Sequence, residues 1–302
     1  MTDHAPVLAV DLGGTNTRVA VVDPAGRIVA RDVEPTARMD EHPGLLVALI
    51  RRVESSADAT HAVIGVPGRI DHETGRMEFA PNLPVHWAPH LNQEELGSRI
   101  GIPVSLANDA DLAAVGEHRF GAGRGTKDML YLTMSTGFGG GVILGGRLLH
   151  GRRSLAEVGH ITIDRRAPEG RRTLEQSASG TAMNRLASEA GIGERGAAFL
   201  ELVRTGDPAA AGVWHEVLDA AGAGIASLAH LYSPELIVIG GGLGLNDDLL
   251  HEPIAAAVAA YGPQDLPAPI RIARAELGDD AGLVGAAGWS EAFAPTTMPV
   301  AT

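Results

Sequence analysis

The chain has 302 residues, 45% of them hydrophobic, which is enough to build a large core in one or two domains. It contains no cysteine, which excludes disulfides, thiolate metal sites and cysteine nucleophiles. Its 37 acidic residues outnumber the 24 basic ones and give a net charge of −13, which argues against a nucleic-acid partner bound through its phosphates. No apolar run of about 18 residues and no leader-like N-terminal segment are present, so we expect a cytoplasmic protein without membrane contact.

Two distant stretches of the chain, residues 8–30 and 130–151, resemble each other. Each consists of an apolar strand, a turn rich in Gly and Thr or Ser, a second strand, a tight turn and a third strand. Such a repeat predicts a duplicated α/β body with a cleft between its halves. Glycines at strand ends leave backbone N–H groups free to bind oxyanions, so the two turns together would hold a polyphosphate.

The remaining segments alternate between helical and strand patterns, with no low-complexity linker. Residues 152–176 show no clear periodicity. The other expected elements are a helix at 41–55, a strand at 61–66, an irregular lobe at 68–90, a helix at 92–100, a strand at 103–109, a helix at 110–120, helices within 177–232, a strand at 235–240, a helix at 248–261, a strand at 270–277 and a closing helix at 279–294.

Six motifs occur in one order along nearly the whole chain. They are DLGGTNT at 11–17, ANDADLAAVGE at 107–117, STGFGGGVILGGRLLHG at 135–151, EVGH at 157–160, LIVIGGGLG at 236–244 and LGDDAGLVGAA at 277–287. Together they resemble a bacterial sugar kinase of the ROK family. The resemblance implies an actin-like, hexokinase-type (ribonuclease H-like) fold of two α/β domains around a cleft.

The resemblance also implies how the chain is divided. Residues 1–108, together with a C-terminal helix at about 281–302, are expected to form the smaller α/β domain, and residues 109–280 the larger one. The family favours homodimers, so we expect a homodimer here. The implied reaction is ATP- and Mg²⁺-dependent phosphorylation of the 6-hydroxyl of glucose or a related hexose.

Phosphoryl transfer needs anion-binding groups and a divalent cation. Asp11, at the end of the first strand, can hold Mg²⁺ through water. In the family the glycines after LIVI contact adenosine. The expected nucleotide-binding residues are Gly13, Gly14 and Thr15 in the first turn, Thr136, Gly137 and Gly139 in the second, and Gly240, Gly241 and Gly242 beyond the later strand.

A carboxylate at the end of the strand 103–109 can accept the proton of an attacking sugar hydroxyl, and the family's catalytic aspartate falls on Asp109. Its neighbour Asn108 is expected to bind substrate, although Asn and Asp are also favoured there simply as helix N-caps. Asp111 lies on the following helix and is interpreted as a solvated or helix-terminal charge.

Four further residues match sugar-contacting positions of the family. Glu157, His160 and Glu175 offer carboxylate and imidazole groups that suit vicinal hydroxyls. Asn82, in PNLP, matches another sugar contact but is also a common turn former.

The family's zinc site is not expected in this chain. Three cysteines normally join the histidine of EVGH at that site, and here their positions are occupied by Arg166, Pro168 and Thr173. The 165–173 loop must therefore be held in another way.

Alternatives remain open at this stage. The acceptor can be mannose, fructose, allose or N-acetylmannosamine, and the donor can be polyphosphate. A sugar-responsive repressor of the same family is disfavoured, because only ten residues precede Asp11, too few for a DNA-binding domain.

Two further motifs are set aside. GAGRGTK at 121–127 resembles a Walker phosphate-binding loop but lacks its spacing, and Pro89 argues against a helical metal pair formed by His86 and His90.

Overall fold

The fold is described from a computed structural model of the chain. No helix among the described residues is both long and apolar enough to cross a bilayer. The described residues are 5–39, 44–54, 58–80, 83, 85–151, 154 and 157–292.

Strands and helices alternate along the described part of the chain. The strands are β1 (Val7–Leu12), β2 (Asn16–Val22), β3 (Ile28–Pro35), β4 (His61–Val66), β5 (Arg69–Asp71), β6 (Arg76–Phe79), β7 (Val104–Asn108), β8 (Met129–Met134), β9 (Phe138–Leu144), β10 (Arg147–Leu148), β11 (Leu236–Gly240) and β12 (Arg271–Arg274). The helices are α1 (Thr36–Met39), α2 (Gly44–Glu54), α3 (Gln93–Ile100), α4 (Asp109–Phe120), α5 (Leu174–Ala178), α6 (Gly180–Glu189), α7 (Gly196–Arg204), α8 (Pro208–Tyr232), α9 (Gly241–Gly244), α10 (Asp247–Tyr261), α11 (Ala281–Gly285) and α12 (Trp289–Ala292). Short 3₁₀ helices span Val85–His90, Val158–His160, Gly278–Asp280 and Ala286–Gly288.

The two large sheets have the same topology. The first has the order β3-β2-β1-β4-β7 and the second β10-β9-β8-β11-β12. In each sheet the first three strands along the chain pair antiparallel as a meander, and the two later strands add in parallel on the other side. The internal repeat predicted from residues 8–30 and 130–151 is therefore confirmed, and it extends to whole five-stranded sheets.

Three apolar clusters hold the layers together. One packs the first sheet against α2 and α3, and another packs the second sheet against α5, α6, α7, α8 and α10. The third joins both sheets through α4 and the helical segment 281–292. All side chains from Ala110 to Glu117 are buried, so α4 is enclosed on every side.

The segment 68–90, expected to be irregular, contains the antiparallel pair β5 and β6. Strands of three and four residues are too short to show the two-residue alternation typical of a strand, so the sequence did not predict β5 and β6. Their turn is well formed, because the Asp71 carboxylate accepts the N–H groups of Glu73 and Thr74, and Gly75 adopts φ +62°.

Glu117 is fully buried in α4 and ties two distant segments together. Its carboxylate accepts backbone N–H groups of Ala122 at 2.9 Å, Glu276 at 3.1 Å and Leu277 at 2.8 Å. Three such donors are what a buried carboxylate needs to replace its hydration. The chain after β12 is thereby fixed to the last turn of α4.

Replacing Glu117 with Ala should lower the free energy of unfolding by about 3 kcal/mol, because a fully buried carboxylate is lost and three partly buried N–H groups lose their acceptor. Glu117→Gln, which keeps one oxygen, should lie between Ala and wild type. Urea denaturation measures the change. Glu276→Gln is the control, because that half-exposed side chain only pairs with Arg124 and should change the value by about 1 kcal/mol or less. Equal effects of Glu117→Ala and Glu276→Gln would contradict the role given to Glu117.

Candidate active site

The first glycine turn connects β1 and β2. The Gly13 N–H donates to Asn16 O at 3.1 Å, and a Cβ on Gly13 would lie only 2.8 Å from that oxygen. Thr36 supports the turn from behind, since its hydroxyl donates to Gly13 O at 2.6 Å and its N–H to Thr15 O at 2.8 Å. Gly14 and Thr15 are exposed on the other side. The turn is therefore a fixed backbone surface that can accept an anion.

The second glycine turn occupies the equivalent position between β8 and β9. Its Ser135 N–H donates to Gly137 O at 3.0 Å. The start of α6 holds it, because the N–H of Gly180 donates to Ser135 O at 2.7 Å and that of Thr181 to Thr136 O at 3.2 Å. Thr136 is exposed.

The glycines after β11 pack directly on the second turn. Gly241 adopts φ +81°, and a Cβ there would lie 2.5 Å from Met134 O and 2.6 Å from the Thr133 hydroxyl. A Cβ on Gly242 would lie 3.9 Å from the Ser135 hydroxyl. Only glycine permits this approach at residue 241. The structure thus brings the expected adenosine motif and the second glycine turn together.

Asp109 is the first residue of α4 and is only partly exposed. Burial raises its pKa to about 7, and the negative charges of Asp11 and Glu157 act in the same direction. The N–H of Ala110, which donates to Asp109 Oδ1 at 2.9 Å, opposes the shift. The carboxyl thus lies within electrostatic reach of Asp11 on β1 and of Glu157 in the second half.

Asp11 is paired with an arginine that sequence reasoning missed. Arg18 Nη1 lies 3.0 Å from Asp11 Oδ2, and Arg18 Nη2 lies 3.5 Å from Asp279 Oδ2. Asp11 and Arg18 are direct cross-strand partners in the β1–β2 register, so the hairpin pattern itself contained the signal. Burial raises the pKa of Asp11, while Arg18 opposes this shift.

Asp11 is a single carboxylate with one oxygen paired to Arg18, a donor that Mg²⁺ can take through water; its role as a metal ligand stays a prediction. No group of three or more His, Cys, Asp or Glu side chains within the described ranges could hold a metal ion. Mg²⁺ commonly keeps several waters and takes one or two carboxylates together with substrate phosphates.

Asn108 is buried and caps α4. Its Oδ1 accepts the N–H groups of Ala110 at 2.8 Å and Asp111 at 3.2 Å, and its Nδ2 donates to Gly68 O at 2.9 Å. Both polar atoms of the amide are engaged, which favours the N-cap alternative. Its substrate contact stays a prediction.

Glu157 and His160 form a pair, with Glu157 Oε2 at 3.0 Å from His160 Nε2. The histidine is 66% exposed and the glutamate 35%. At this distance the Glu157 carboxylate can accept a hydrogen bond from Nε2–H of His160 and so favour that tautomer of the imidazole. Asn82, the fourth expected sugar contact, lies outside the described residues.

Glu175 is placed differently from Glu157. Its Oε2 accepts the Phe138 N–H at 2.9 Å, so Glu175 supports the second glycine turn. A Cβ on Gly159 would lie 3.2 Å from Glu175 Cβ, so the same side chain also touches the segment that carries His160.

The 165–173 loop is held by arginines. Arg172 Nε donates to Ala167 O at 3.0 Å, and Arg185 donates to Gly170 O and to Gln176 O. Arg171 forms ion pairs with Glu189 and Glu216. Thr173 and Gln176 form a capping box at α5.

Arg166 and Pro168 also take part in the loop, but through their backbones. The Arg166 N–H donates to Asp164 Oδ1 at 2.8 Å, and Pro168 O accepts the Arg171 N–H at 3.1 Å. The three positions expected to lack zinc ligands, Arg166, Pro168 and Thr173, thus belong to a loop closed by hydrogen bonds and ion pairs.

Two motifs set aside from the sequence lie apart from this site. The 121–127 segment follows a helix, not a strand, and its Thr126 hydroxyl donates to Gly123 O at 2.7 Å within the loop. His90 Nδ1 lies 3.2 Å from Glu95 Oε1, whereas the side chain of His86 lies outside the described residues.

Asp111 was interpreted as a solvated or helix-terminal charge; it lies in the first turn of α4, but the solvated alternative is wrong. The residue is 0% exposed, and neither carboxylate oxygen has a hydrogen-bond partner of good geometry in the described part of the chain. Burial raises its pKa to about 7; the nearby Ser154 hydroxyl opposes this, while the charges of Asp109 and Glu157 add to it. Residues 110–117 are all buried, so the side of the first turn that carries Asp111 does not reach water, whereas Asp109 is partly exposed.

The fold and the site define a duplicated α/β protein with a glycine turn at the equivalent end of each sheet. The chain belongs to the ROK family, whose model matches residues 7–292. A glucokinase from Thermotoga maritima is 34% identical to this chain in an alignment 304 residues long. That alignment covers 93% of this chain and 96% of the relative.

Two solved structures are similar over nearly their whole length. A ROK hexokinase from Thermus thermophilus is 35% identical with a TM-score of 0.82, covering 95% of this chain and 98% of that one. A ROK family glucokinase from Streptomyces griseus, in complex with glucose and AMPPNP, is 33% identical with a TM-score of 0.79, covering 93% and 98%. The expected actin-like, hexokinase-type fold is confirmed.

Asp111→Asn should stabilise the fold in a pH-dependent way. The folded-state pKa of Asp111, about 7, exceeds its ordinary value of 3.8, so ionisation of this group opposes folding increasingly as pH rises from about 4 to about 7. We expect the variant to gain on the order of 2 kcal/mol over wild type at pH 8 and almost nothing at pH 4.

Denaturant unfolding at the two pH values measures this difference. Asp248→Asn is the control with opposite sign, because Arg204 lowers the pKa of that exposed carboxyl and its removal should not stabilise the protein at pH 8. If Asp111→Asn were less stable than wild type at pH 8, the conclusion that burial of the Asp111 carboxylate opposes folding would be contradicted.

Proposed function

We propose that this protein is an ATP- and Mg²⁺-dependent hexose kinase that phosphorylates the 6-hydroxyl of glucose or a close relative. The observation that carries the proposal is the position of Asp109. This carboxyl heads α4 within electrostatic reach of Asp11, beside the first glycine turn, and of Glu157, beside His160. Asp109 is then a base with a pKa near neutral, placed between the glycine turn next to Asp11 and the Glu157–His160 pair. We infer that the turn binds phosphate and the pair binds hydroxyls, an arrangement that suits transfer of phosphate to a sugar.

Each glycine turn has a role in binding the phosphates. The exposed Gly14 and Thr15 donate from one half, while Gly13, whose N–H is used by Asn16 O, shapes the turn. Thr136, Gly137 and Gly139 contribute from the other half. Gly240, Gly241 and Gly242 offer a flat backbone surface to adenine and ribose. Asp11 would hold Mg²⁺ through water, and a bound Mg²⁺ would neutralise charge on the phosphate oxygens.

The sugar is held by residues from both sides of the base. Glu157, His160 and Glu175 bind hydroxyls from the second half, with Asn82 and Asn108 contributing from the first. The sugar 6-oxygen attacks the γ-phosphorus while the bond from phosphorus to the bridging oxygen breaks. Asp109 accepts the hydroxyl proton, and ADP leaves.

Closure of two domains over the substrates excludes water and protects the phosphoryl group from hydrolysis. The domains are residues 1–108 with 281–302, and residues 109–280. The supporting observation is that α4 and the segment 281–292 lie between the two sheets. We further propose a cytoplasmic homodimer that binds no nucleic acid, in keeping with the net charge of −13.

The purified protein should convert glucose and ATP with Mg²⁺ to glucose 6-phosphate and ADP. A panel of glucose, mannose, fructose, allose and N-acetylmannosamine, each assayed with ATP and with polyphosphate, identifies the preferred pair. The phosphate position is read by NMR of the product. Absence of turnover with every sugar and both donors would refute the proposal.

Asp109→Asn should lower kcat by a factor of about 10² to 10⁴, because it removes the proton acceptor while preserving the shape of the pocket. Glucose affinity, measured by calorimetry, should change little. Glu169→Gln, an exposed carboxylate in the 165–173 loop, serves as the matched control and should retain full activity. Near-normal turnover by Asp109→Asn would exclude the residue as the base.

A further inference from the structure

Glu175 is in contact with two motifs at once. Its Oε2 accepts the Phe138 N–H at 2.9 Å, and a Cβ on Gly137 would lie 2.6 Å from the same oxygen. On its other side the side chain packs against Gly159, which lies between Glu157 and His160 in the chain. The phosphate turn and the sugar-binding pair therefore meet at this one carboxylate.

The surroundings of Glu175 keep it in this position. Leu174 is fully buried, and its N–H donates to Ile161 O at 3.0 Å, immediately after His160. A Cβ on Gly159 would overlap the carbonyl of Phe138, so the backbones of the two motifs are in direct contact there. The capping box of Thr173 and Gln176 fixes the start of the helix. A movement of Glu175 must therefore move the turn, the sugar-binding segment, or both.

The two carboxylate oxygens of Glu175 can bind two different groups. Within the described residues only Oε2 makes a hydrogen bond, and it goes to the turn. The carboxylate is partly exposed, so Oε1 remains available for a sugar hydroxyl. A hydroxyl bound there would restrict rotation of the carboxylate and with it the orientation of the Phe138 N–H.

We propose that Glu175 is a positioning residue that couples occupancy of the sugar site to the geometry of the Thr136–Phe138 phosphate turn. The proposal rests on the hexose kinase function proposed above. Sugar binding fixes the carboxylate, the carboxylate fixes the turn, and the turn then binds the nucleotide phosphates more tightly. By thermodynamic linkage the nucleotide must tighten sugar binding by the same factor.

The coupling is measured by calorimetric titration of AMPPNP with Mg²⁺, in the absence and in the presence of saturating glucose. For wild type, glucose should tighten AMPPNP binding by a factor of about 5 to 10, a common size for coupling between sites. In Glu175→Ala the factor should fall to about 1. In Glu175→Gln, which keeps an acceptor for Phe138, it should lie between the two.

Two further variants separate coupling from a merely structural role. Gly137→Ala places a methyl group against Glu175 Oε2 and should reduce the factor even though Glu175 is intact. Glu169→Ala, the exposed acid in the neighbouring loop, should leave it unchanged. A structural role alone would weaken nucleotide binding equally with and without glucose, and so would leave the ratio at its wild-type value. If Glu175→Ala fails to fold, Glu175→Gln and Gly137→Ala carry the test.

A wild-type factor near 1, or an unchanged factor in the folded Glu175 and Gly137 variants, overturns the coupling while hexose turnover still supports the kinase. Wild-type protein that neither binds AMPPNP nor phosphorylates any hexose overturns the proposed function, and the coupling with it.

Discussion

The close crossing of α4 and α11 is the constraint on which the rest of the structure depends. A Cβ on Gly116 would overlap Ala281 O, and one on Gly285 would overlap Leu112 O, so the two backbones touch where the glycines lie. This contact brings the end of the chain back between the sheets. It also fixes α4 in direction, so that Asp109 starts the helix beside the end of β1 and Glu117, in its last turn, contacts the segment that follows β12.

Much of the fold could be predicted from local pattern, and the failures have physical causes. The repeated hairpins were found because an apolar strand, a glycine turn and a second strand form a complete local signal. The β5–β6 pair was missed because strands of three and four residues are too short to show a period. Asp111 was misjudged because helix position was used as a guide to exposure, whereas exposure is set by what packs around the helix.

The candidate site divides in the same way. Residue type and position at a strand end pointed to Asp109 and the glycine turns, and the resemblance to the family added Glu157 and His160; the roles of all of them stay predictions. The partners of those residues could not be found so easily. The Arg18–Asp11 pair requires the strand register, and the contact of Glu175 with Phe138 requires the tertiary structure, because 37 positions separate the two residues. The chemical roles stay proposals until the variants are measured.

The arginine-held loop gives the protein a different dependence on its environment from a loop closed by zinc. Thiol oxidation and thiolate ligation of zinc have no residue to act on, because the chain contains no cysteine. The ion pairs of Arg171 with Glu189 and Glu216 lie at the partly exposed surface, where dissolved ions weaken them. Raising the ionic strength is therefore expected to weaken these two ion pairs, while the hydrogen bonds of Arg172 and Arg185 continue to hold the loop between His160 and Glu175.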